Sequence, residues 1–345
     1  MRHNTRKVKV GKIFIGSNSP ISIQSMCNTK TSDIKATLNQ INELKEAGCE
    51  IIRVAVPDKE SVEALRTIKE NITLPLVADI HFDHNLAIAS LKYADKIRIN
   101  PGNIGSMDKV KEIIEAAKEY QKSIRIGINS GSLEQDLINK YGVNELSMVE
   151  SCLRYIKFFE ANDFYNIILS LKSSDVTTTI KAYQLISEKT DYPLHLGVTE
   201  AGTRFSGTIK SSVGIGSLLS QGIGDTIRVS LTDNPVEEVK AGFEILKSLN
   251  LRKFGREIIS CPTCGRTKVN LIEIAKEIEE KTEHIKKPIK IAVMGCAVNG
   301  PGEAREADVG VAMGEKSLIF SKGKIIAKVD NDDIILVLLE EIEKL

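Results

Sequence analysis

Three cysteines near the carboxyl end of the chain have the spacing of metal ligands. Cys261 and Cys264 form a Cys-x-x-Cys pair, and Cys296 follows in a second glycine-rich loop that also holds Glu303. The first seven residues are basic, but a polar β-like segment follows them, so we do not expect a signal peptide. In a chain that is not exported, thiols are expected to be reduced or to bind metal rather than to form disulfides.

The number of thiols leaves the type of metal open. A structural zinc site usually has four Cys or His ligands, and His284 is the only histidine near these loops. Iron–sulfur clusters are normally held by four thiolates. Three thiolates and one non-thiolate ligand would describe a cluster in which one iron can exchange its weak ligand for substrate. A zinc site or a purely structural cluster is the alternative.

Eight strand–helix units in series precede the cysteines and must position whatever the metal acts on. Their strands are apolar on both faces, which is typical of a parallel sheet covered by helices. Eight is the number of units that closes a β/α barrel. A doubly wound open sheet is the alternative, but the first strand–helix turn lacks the G-x-G-x-x-G pattern. The predicted strands are 21–26, 51–56, 76–81, 96–102, 124–129, 166–172, 194–200 and 226–231.

The pattern predicts two domains in an α/β chain. An N-terminal TIM-type (β/α)8 barrel, with a small hairpin at 7–16, covers residues 1–249, and 250–256 form a linker. Residues 257–345 carry the three cysteines and form a small α+β domain. Its expected elements are a helix near 270–280, a strand at 290–294, a hairpin that turns at Lys322-Gly323 and a closing helix from about Asp332.

Basic side chains lie at or near the carboxyl ends of five predicted strands, where barrels carry their chemistry. An unpaired charge inside an apolar strand is costly, so these side chains must be paired or point into the mouth. A structural network with Asp79 and Glu200 is one interpretation, but two carboxylates cannot neutralise five cations. Because arginine matches phosphate oxygens bidentately, the excess charge predicts a phosphate or diphosphate substrate. The five residues are Arg53, Arg98, Arg125, Lys172 and Arg228.

Candidate acid–base groups lie at the same end of the barrel. Glu200 is the better candidate, because it lies at the mouth and Ala201-Gly202 gives it flexible backbone. His81 and His195 could transfer protons or donate hydrogen bonds, although a lone histidine near a strand end is more often structural.

Composition excludes several other classes of protein. The net charge is +1, which gives no support for nucleic-acid binding or for a membrane-surface role. No apolar run is long enough to span a bilayer. We expect a cytoplasmic protein.

Two long motifs resemble the 4-hydroxy-3-methylbut-2-enyl diphosphate synthase family. They are Cys-Pro-Thr-Cys-Gly-Arg-Thr at 261–267 and Met-Gly-Cys-Ala-Val-Asn-Gly-Pro-Gly-Glu at 294–303. Ile-Gln-Ser-Met at 23–26 and Val-Thr-Glu-Ala-Gly at 198–202 extend the resemblance through the barrel. The chain looks like the shorter, two-domain bacterial form, since no extra domain separates the barrel from the cysteines.

The resemblance implies an activity and its site residues. The family reductively opens 2-C-methyl-D-erythritol 2,4-cyclodiphosphate to the allylic diphosphate in isoprenoid biosynthesis, with single electrons from a ferredoxin or flavodoxin. It implies a 4Fe–4S cluster on Cys261, Cys264, Cys296 and Glu303, so the second domain would be an iron–sulfur domain. Glu200 would be the acid–base carboxylate. The diphosphate would be held by the five cations, with Asn129, Ser230 and Arg256 as further candidates. A homodimer is also implied, in which the cluster domain of one chain caps the barrel of the other.

Two other functions stay open from the residues alone. A barrel lyase or aldolase could act on a phosphorylated sugar beside a structural zinc domain, with Lys172 forming a Schiff base if its pKa is lowered. A non-catalytic iron–sulfur sensor or scaffold is the other possible function. The many polar residues at the barrel mouth argue against it.

Overall fold

The protein divides into two compact units, Met1–Arg252 and Lys253–Leu345. The structure is a computed structural model that describes residues 2–265, 267, 269–296 and 307–345. No helix among the described residues is long and apolar enough to cross a membrane.

The first unit alternates strands and helices along the chain. Its strands are β1 Val8–Val10, β2 Ile13–Ile15, β3 Ser22–Met26, β4 Ile51–Ala55, β5 Leu76–Asp79, β6 Lys96–Ile99, β7 Ser123–Asn129, β8 Ile167–Lys172, β9 His195–Leu196 and β10 Thr226–Ile227. Its helices are α1 Ile34–Glu46, α2 Lys59–Asn71, α3 His84–Ser90, α4 Pro101–Ile104, α5 Met107–Glu119, α6 Gln135–Tyr141, α7 Glu145–Ala161, α8 Val176–Lys189, α9 Arg204–Ser220 and α10 Pro235–Ser248.

Strands β3 to β10 form one parallel barrel. The hydrogen-bonded order is β8-β7-β6-β5-β4-β3-β10-β9, and a parallel bridge between Leu169 and Leu194 joins the two ends of this order. The predicted barrel is therefore confirmed, and the doubly wound alternative is wrong. The last two strands are shorter than predicted, because the chain leaves the ladder after Leu196 and after Ile227.

An antiparallel hairpin of β1 and β2 covers the amino-terminal end of the barrel. Its Val8, Val10 and Ile15 side chains form one buried apolar cluster with Ile51, Val77 and Ile168 of the barrel strands. Burial of such side chains is the main favourable term in folding. The barrel therefore has an apolar floor at one end, and its polar residues lie between this floor and the opposite mouth.

Short polar side chains start most of the barrel helices. Asp33, Asp58 and Asp175 each accept a hydrogen bond from a backbone N–H in the first turn of the helix that follows. Such caps satisfy amides that have no partner within the helix, typically for about 1 kcal/mol each. Helix α10 starts in the same way, with Asn234 as the cap and proline in the first turn.

The second unit is a mixed sheet with helices. Its elements are β11 Arg256–Ser260, α11 Leu271–Lys281, β12 Ile289–Met294, β13 Val309–Ala312, β14 Ser317–Ser321, β15 Lys324–Val329 and α12 Ile334–Glu343. Strands β11, β12 and β13 are parallel, and β14 and β15 complete the sheet as an antiparallel hairpin. Apolar side chains of α11 and α12 share one core with the sheet. The predicted α+β architecture is confirmed.

Candidate functional site

Two of the mouth arginines share one carboxylate. The Asp79 Oδ1 atom lies 3.4 Å from Nη1 of Arg98, and its Oδ2 lies 3.9 Å from Nε of Arg53. Burial opposes ionisation of Asp79, but the charges of the surrounding arginines outweigh it and lower the pKa of Asp79 to about 2. Arg53 also directs Nε and Nη2 at the Met26 sulfur, at 3.1 and 2.9 Å. A single carboxylate therefore serves two guanidinium groups.

Arg228 has a carboxylate of its own. Its Nε and Nη2 atoms lie 3.2 and 3.1 Å from the two oxygens of Glu238 on α10. Glu238 is buried and also accepts hydrogen bonds from the Ser25 hydroxyl and the Leu231 N–H. The network interpretation is thus right for Asp79, but the second carboxylate is Glu238 rather than Glu200.

Arg125 and Lys172 are the two mouth cations that form no ion pair with a carboxylate among the described residues. Both are buried, and the Nε and Nη1 atoms of Arg125 have no hydrogen-bond partner among the described residues. Burial, followed by repulsion from Arg125, lowers the pKa of Lys172 well below its usual value. The Lys172 Nζ atom lies beside Gly197, where an added Cβ would approach it to 2.6 Å. An anion at this position would supply the missing negative charge.

The amide of Asn129 extends the polar mouth from the end of β7. With its amide oriented so that nitrogen donates to the Ile128 carbonyl, its oxygen accepts a hydrogen bond from Nη2 of Arg98 at 3.1 Å. Gly127, two residues earlier on the same strand face, leaves space for the Arg98 side chain, because an added Cβ would lie 2.6 Å from Arg98 Nε. Ser230 is half-buried in the segment that follows β10.

Glu200 lies in the loop between β9 and α9. It has a φ of 52°, a left-handed conformation that is uncommon outside glycine. The loop is fixed on both sides of it: the Thr199 N–H donates to the Ser173 carbonyl after β8, and the Thr232 N–H donates to the Gly202 carbonyl. Held backbone strain of this kind is concentrated at functional sites. The backbone that carries Glu200 is therefore fixed at the carboxyl ends of the strands, and its side chain is exposed there.

The two candidate histidines differ in environment. The His81 ring is nearly half exposed, with Nε2 lying 3.5 Å from Oδ2 of Asp79. His195 is fully buried, and neither ring nitrogen has a hydrogen-bond partner among the described residues. Burial and then repulsion from Arg125 lower the pKa of His195 well below its usual value. Because a buried polar group normally has a partner, the ring of His195 is an exception among the described residues.

The cysteine loops lie at one edge of the second unit. Cys261 follows β11 directly, and Cys296 follows the neighbouring parallel strand β12 by two residues. Parallel strands bring their carboxyl ends together, so these two thiols lie at the same edge of the sheet. The Gly295 N–H donates to the Cys261 sulfur at 3.2 Å, and Cys264 is exposed beside Thr267. The other three cysteines, Cys27, Cys49 and Cys152, are buried in the barrel unit.

Glu303 and Arg256 are the two remaining predicted residues. Glu303 lies outside the described residues. Arg256 belongs to the second unit, where its Nε donates to the Glu279 carbonyl at 3.1 Å. Among the described residues, no group of three or more His, Cys, Asp or Glu side chains is arranged closely enough to hold a metal ion.

Two polar residues of the barrel were not predicted as part of the site. Glu238 lies in the first turn of α10, and the signal for it was a carboxylate just after the Asn234-Pro235 helix start. Lys96 opens β6 and is fully buried, with no partner for its Nζ atom among the described residues. A lysine two residues before Arg98 lies on the same strand face, which was the available signal.

Fold and site together define a class of protein: a TIM-type barrel with a cationic mouth, followed by a domain that presents thiols at a sheet edge. Family models agree with this description. The GcpE TIM-barrel domain matches residues 5–243, and the GcpE protein C-terminal domain matches residues 257–344. The chain belongs to the GcpE family.

Curated relatives cover the whole chain. It is 57% identical to a protein of Caldanaerobacter subterraneus subsp. tengcongensis, over 100% of this chain and 98% of that one. It is 56% identical to a protein of Ruminiclostridium cellulolyticum, with the same coverage. Both relatives are named 4-hydroxy-3-methylbut-2-en-1-yl diphosphate synthase (flavodoxin).

Solved structures of more distant proteins share the fold. N-acetylneuraminic acid synthetase from Leptospira borgpetersenii serovar Hardjo-bovis superposes with a TM-score of 0.52 at 14% identity, over 81% of this chain and 98% of that one. At this identity the likeness describes the fold alone.

Proposed function

We infer that the chain is an oxidoreductase that converts 2-C-methyl-D-erythritol 2,4-cyclodiphosphate to (E)-4-hydroxy-3-methylbut-2-enyl diphosphate. The reaction takes two electrons and two protons, opens the cyclic diphosphate and releases one water. The relatives that cover the whole chain carry the name of this activity. The observation that supports it most directly in the site is the excess of buried cations, which calls for an anionic substrate.

The cations of the mouth would hold the diphosphate before and after the ring opens. Arg125 and Lys172 are the strongest candidates for direct contact, because both are buried and neither is paired with a carboxylate among the described residues. Arg53 and Arg98 share the single carboxylate of Asp79. A phosphate group would therefore supply a second negative charge to this pair of guanidinium groups. Guanidinium forks match the two oxygens of a phosphate and fix its orientation.

Other mouth residues would complete the contacts to the diphosphate. Glu238 occupies Nε and Nη2 of Arg228, which leaves Nη1 for the substrate. Asn129 and Ser230 lie at the ends of the neighbouring elements and would supply neutral hydrogen bonds. Arg256, on the second unit, would contact the substrate only if that unit closes over a barrel mouth.

Glu200 would hold and deliver a proton for the departing hydroxyl. Its loop is anchored next to β8 and next to the segment after β10, so the backbone that carries the carboxylate keeps its place while the substrate reacts. A general acid must come within hydrogen-bonding distance of the atom it protonates, and a fixed loop meets that need better than a free one.

Three thiolates and a carboxylate would hold a 4Fe–4S cluster: Cys261, Cys264, Cys296 and Glu303. The described residues fit such a group in two ways. Two thiols follow adjacent parallel strands, and the Gly295 N–H already points at the Cys261 sulfur, as hydrogen bonds do around cluster thiolates. When bound, the cluster supplies single electrons at low potential to the substrate. The role of Glu303 rests on its place in the motif.

Two partners belong to this proposal. The relatives' names point to flavodoxin as the electron donor, and ferredoxin is the other donor that the resemblance implies. We also propose a homodimer in which the second unit of one chain closes the barrel mouth of the other. The cytoplasmic location that the sequence predicts is part of the same proposal, because the enzyme must meet these electron donors.

The zinc-containing lyase is the competing function, and one observation favours it. The lowered pKa of Lys172 is what a Schiff-base lysine needs. Anaerobic purification followed by iron, sulfide and zinc analysis separates the two. We expect iron and sulfide in equal amounts and little zinc, whereas stoichiometric zinc without iron would overturn the cluster proposal.

A further inference from the structure

The inner wall of the barrel carries a buried polar layer between its apolar floor and its mouth. Side chains alternate along a strand, so residues two apart point to the same side. Lys96 precedes Arg98 by two residues and His195 precedes Gly197 by two, so Lys96 and His195 point into the barrel. Polar atoms of Gln24, Lys96, Arg125, His195 and Thr226 are buried here and have no hydrogen-bond partner among the described residues. TIM-type barrels usually fill this space with branched apolar side chains.

The layer holds many more basic groups than acidic ones. The groups that face Lys96 and Arg125 are Arg53 of β4, Asp79 of β5, Arg98 of β6, Lys172 of β8, His195 of β9 and the hydroxyl of Tyr183 on α8. The hairpin below contributes the apolar side chains of Val8, Val10 and Ile15. Glu238 acts on Arg53 as well, but it is already paired with Arg228. Asp79 is the described carboxylate that acts on Arg53, Arg98 and Arg125 together.

Burial decides which of these bases can lose a proton. Desolvation, and then repulsion from Arg125 and Arg53, hold the pKa of Lys96 well below its usual value. Guanidinium groups start from a much higher pKa and keep their protons, so the adjustable charges are those of the lysines and of His195. A neutral Lys96 relieves the repulsion inside a barrel that contains no bound anion.

We propose that Lys96 is a charge-responsive positioning residue, which takes up a proton when an anionic diphosphate enters the barrel mouth. This rests on the proposed function, which supplies the diphosphate. The two negative charges of the substrate offset the repulsion from Arg125 and stabilise an ammonium group on Lys96. Lys96 then acts on the substrate through the electrostatic field rather than by contact.

Proton uptake by Lys96 on binding determines how the affinity for diphosphate changes with pH. The pKa of Lys96 is lower in the free protein than in the complex. Above both values Lys96 is neutral in both states, and below both it is charged in both, so affinity depends on pH only between them. Within that window binding takes up a proton, and the affinity for diphosphate falls as the pH rises, by up to about tenfold per pH unit.

Calorimetry on the oxidised holoenzyme tests the proposal. The probe is 2-C-methyl-D-erythritol 2,4-cyclodiphosphate, whose two phosphates have no proton that titrates near neutral pH, and without a reductant it is not turned over. Titrations at several pH values between about 6 and 10, each in two buffers of different ionisation enthalpy, give the number of protons taken up across the window. We expect Lys96→Met to take up about one proton fewer than the wild type, with a dissociation constant that depends less on pH.

Two further variants complete the experiment. Lys96→Arg carries a fixed charge, so it should bind the probe with the same reduced uptake and keep its affinity at high pH, which a merely structural role does not predict. Lys118→Met, at a half-exposed surface lysine of α5 paired with Glu115, should match the wild type. Binding to the wild type without proton uptake, or equal uptake by the wild type and both Lys96 variants, would overturn the inference. Failure of the wild type to bind the probe would overturn the proposed function itself, and this inference with it.

Discussion

Arg228 and Glu238 form a two-point ion pair, with Nε and Nη2 of the arginine at 3.2 and 3.1 Å from the two carboxylate oxygens. The pair joins the end of the last barrel strand to the helix that follows it. It fixes the plane of the guanidinium group and leaves Nη1 outside the pair. The side chain of Glu238 is only 4% exposed, so the pair is part of the barrel wall rather than a surface contact.

Glu238→Gln tests how much this ion pair contributes to stability and to substrate binding. The variant keeps the shape of the side chain but leaves Arg228 without a counter-charge, and breaking a buried pair costs about 3 kcal/mol or more. We expect a lower thermal midpoint and a higher KM for the diphosphate substrate. Glu244→Gln, on the same helix, is the matched control. Glu244 is exposed and pairs with Lys247, so its loss should cost less than about 1 kcal/mol. Equal losses in the two variants would contradict the assigned role.

Gly197→Ala tests the close approach around Lys172. An added Cβ would lie 2.6 Å from the Lys172 Nζ atom and 2.6 Å from the Arg228 carbonyl oxygen. The lysine must move away, so we expect KM for the substrate to rise by tenfold or more, about 1.4 kcal/mol in binding. The control is Gly216→Ala in α9, where an added Cβ meets nothing within 4 Å. Removing the extra freedom of glycine there should leave KM unchanged and stability equal or slightly higher. Unchanged KM in Gly197→Ala would contradict contact between Lys172 and the diphosphate.

His195 predicts how stability depends on pH. Its pKa is well below the usual value in the folded protein, whereas in the unfolded chain it titrates at about 6.5. Below that pH the unfolded state binds more protons, so the folded state loses stability as the pH falls, with a slope of up to about 1.4 kcal/mol per pH unit.

The matching experiment compares thermal midpoints of the wild type and His195→Gln from about pH 8 to about pH 5.5. The variant should lose less stability on acidification than the wild type. His3→Gln, at an exposed histidine, should follow the wild type. Parallel pH curves for the wild type and His195→Gln would show that His195 does not titrate as proposed.

Cross-chain catalysis can be tested by mixing two inactive variants. Cys296→Ala should disable the cluster and Arg98→Ala the barrel mouth. If the second unit of each chain serves the partner's barrel, a heterodimer has one site free of both changes. Random pairing then restores about a quarter of the wild-type activity. No recovery after heterodimers have been isolated would contradict the shared site.

The sequence predicted the architecture well, because the evidence for it was local. Strands apolar on both faces, separated by helices with polar caps, gave eight units, and the barrel order confirms them. The site was harder to predict, since pairing is a tertiary property. Nothing in the chain near Arg228 shows that Glu238 reaches back to it from a helix. The burial of Lys96 is also a tertiary property, because a lysine at the start of a strand is usually solvated and only closure of the barrel buries this one.

The sequence pattern also failed to predict the lengths of the last two barrel strands. Residues 194–200 were predicted as one strand, but the ladder ends at Leu196. The residues beyond it form the loop that carries Glu200 in its left-handed conformation. Their apolar character reflects burial under α9 rather than strand pairing, as Val198 shows by its close approach to Gly214 of that helix.

Turnover under anaerobic conditions tests the central claim most directly. The protein, purified without oxygen, is mixed with 2-C-methyl-D-erythritol 2,4-cyclodiphosphate and reduced flavodoxin, and the product is identified by mass spectrometry. We predict formation of (E)-4-hydroxy-3-methylbut-2-enyl diphosphate by the wild type and by Cys152→Ala, whose thiol is buried in the barrel unit, and none by Cys296→Ala. No product from an iron-loaded wild type, or equal product from Cys296→Ala, would contradict the account.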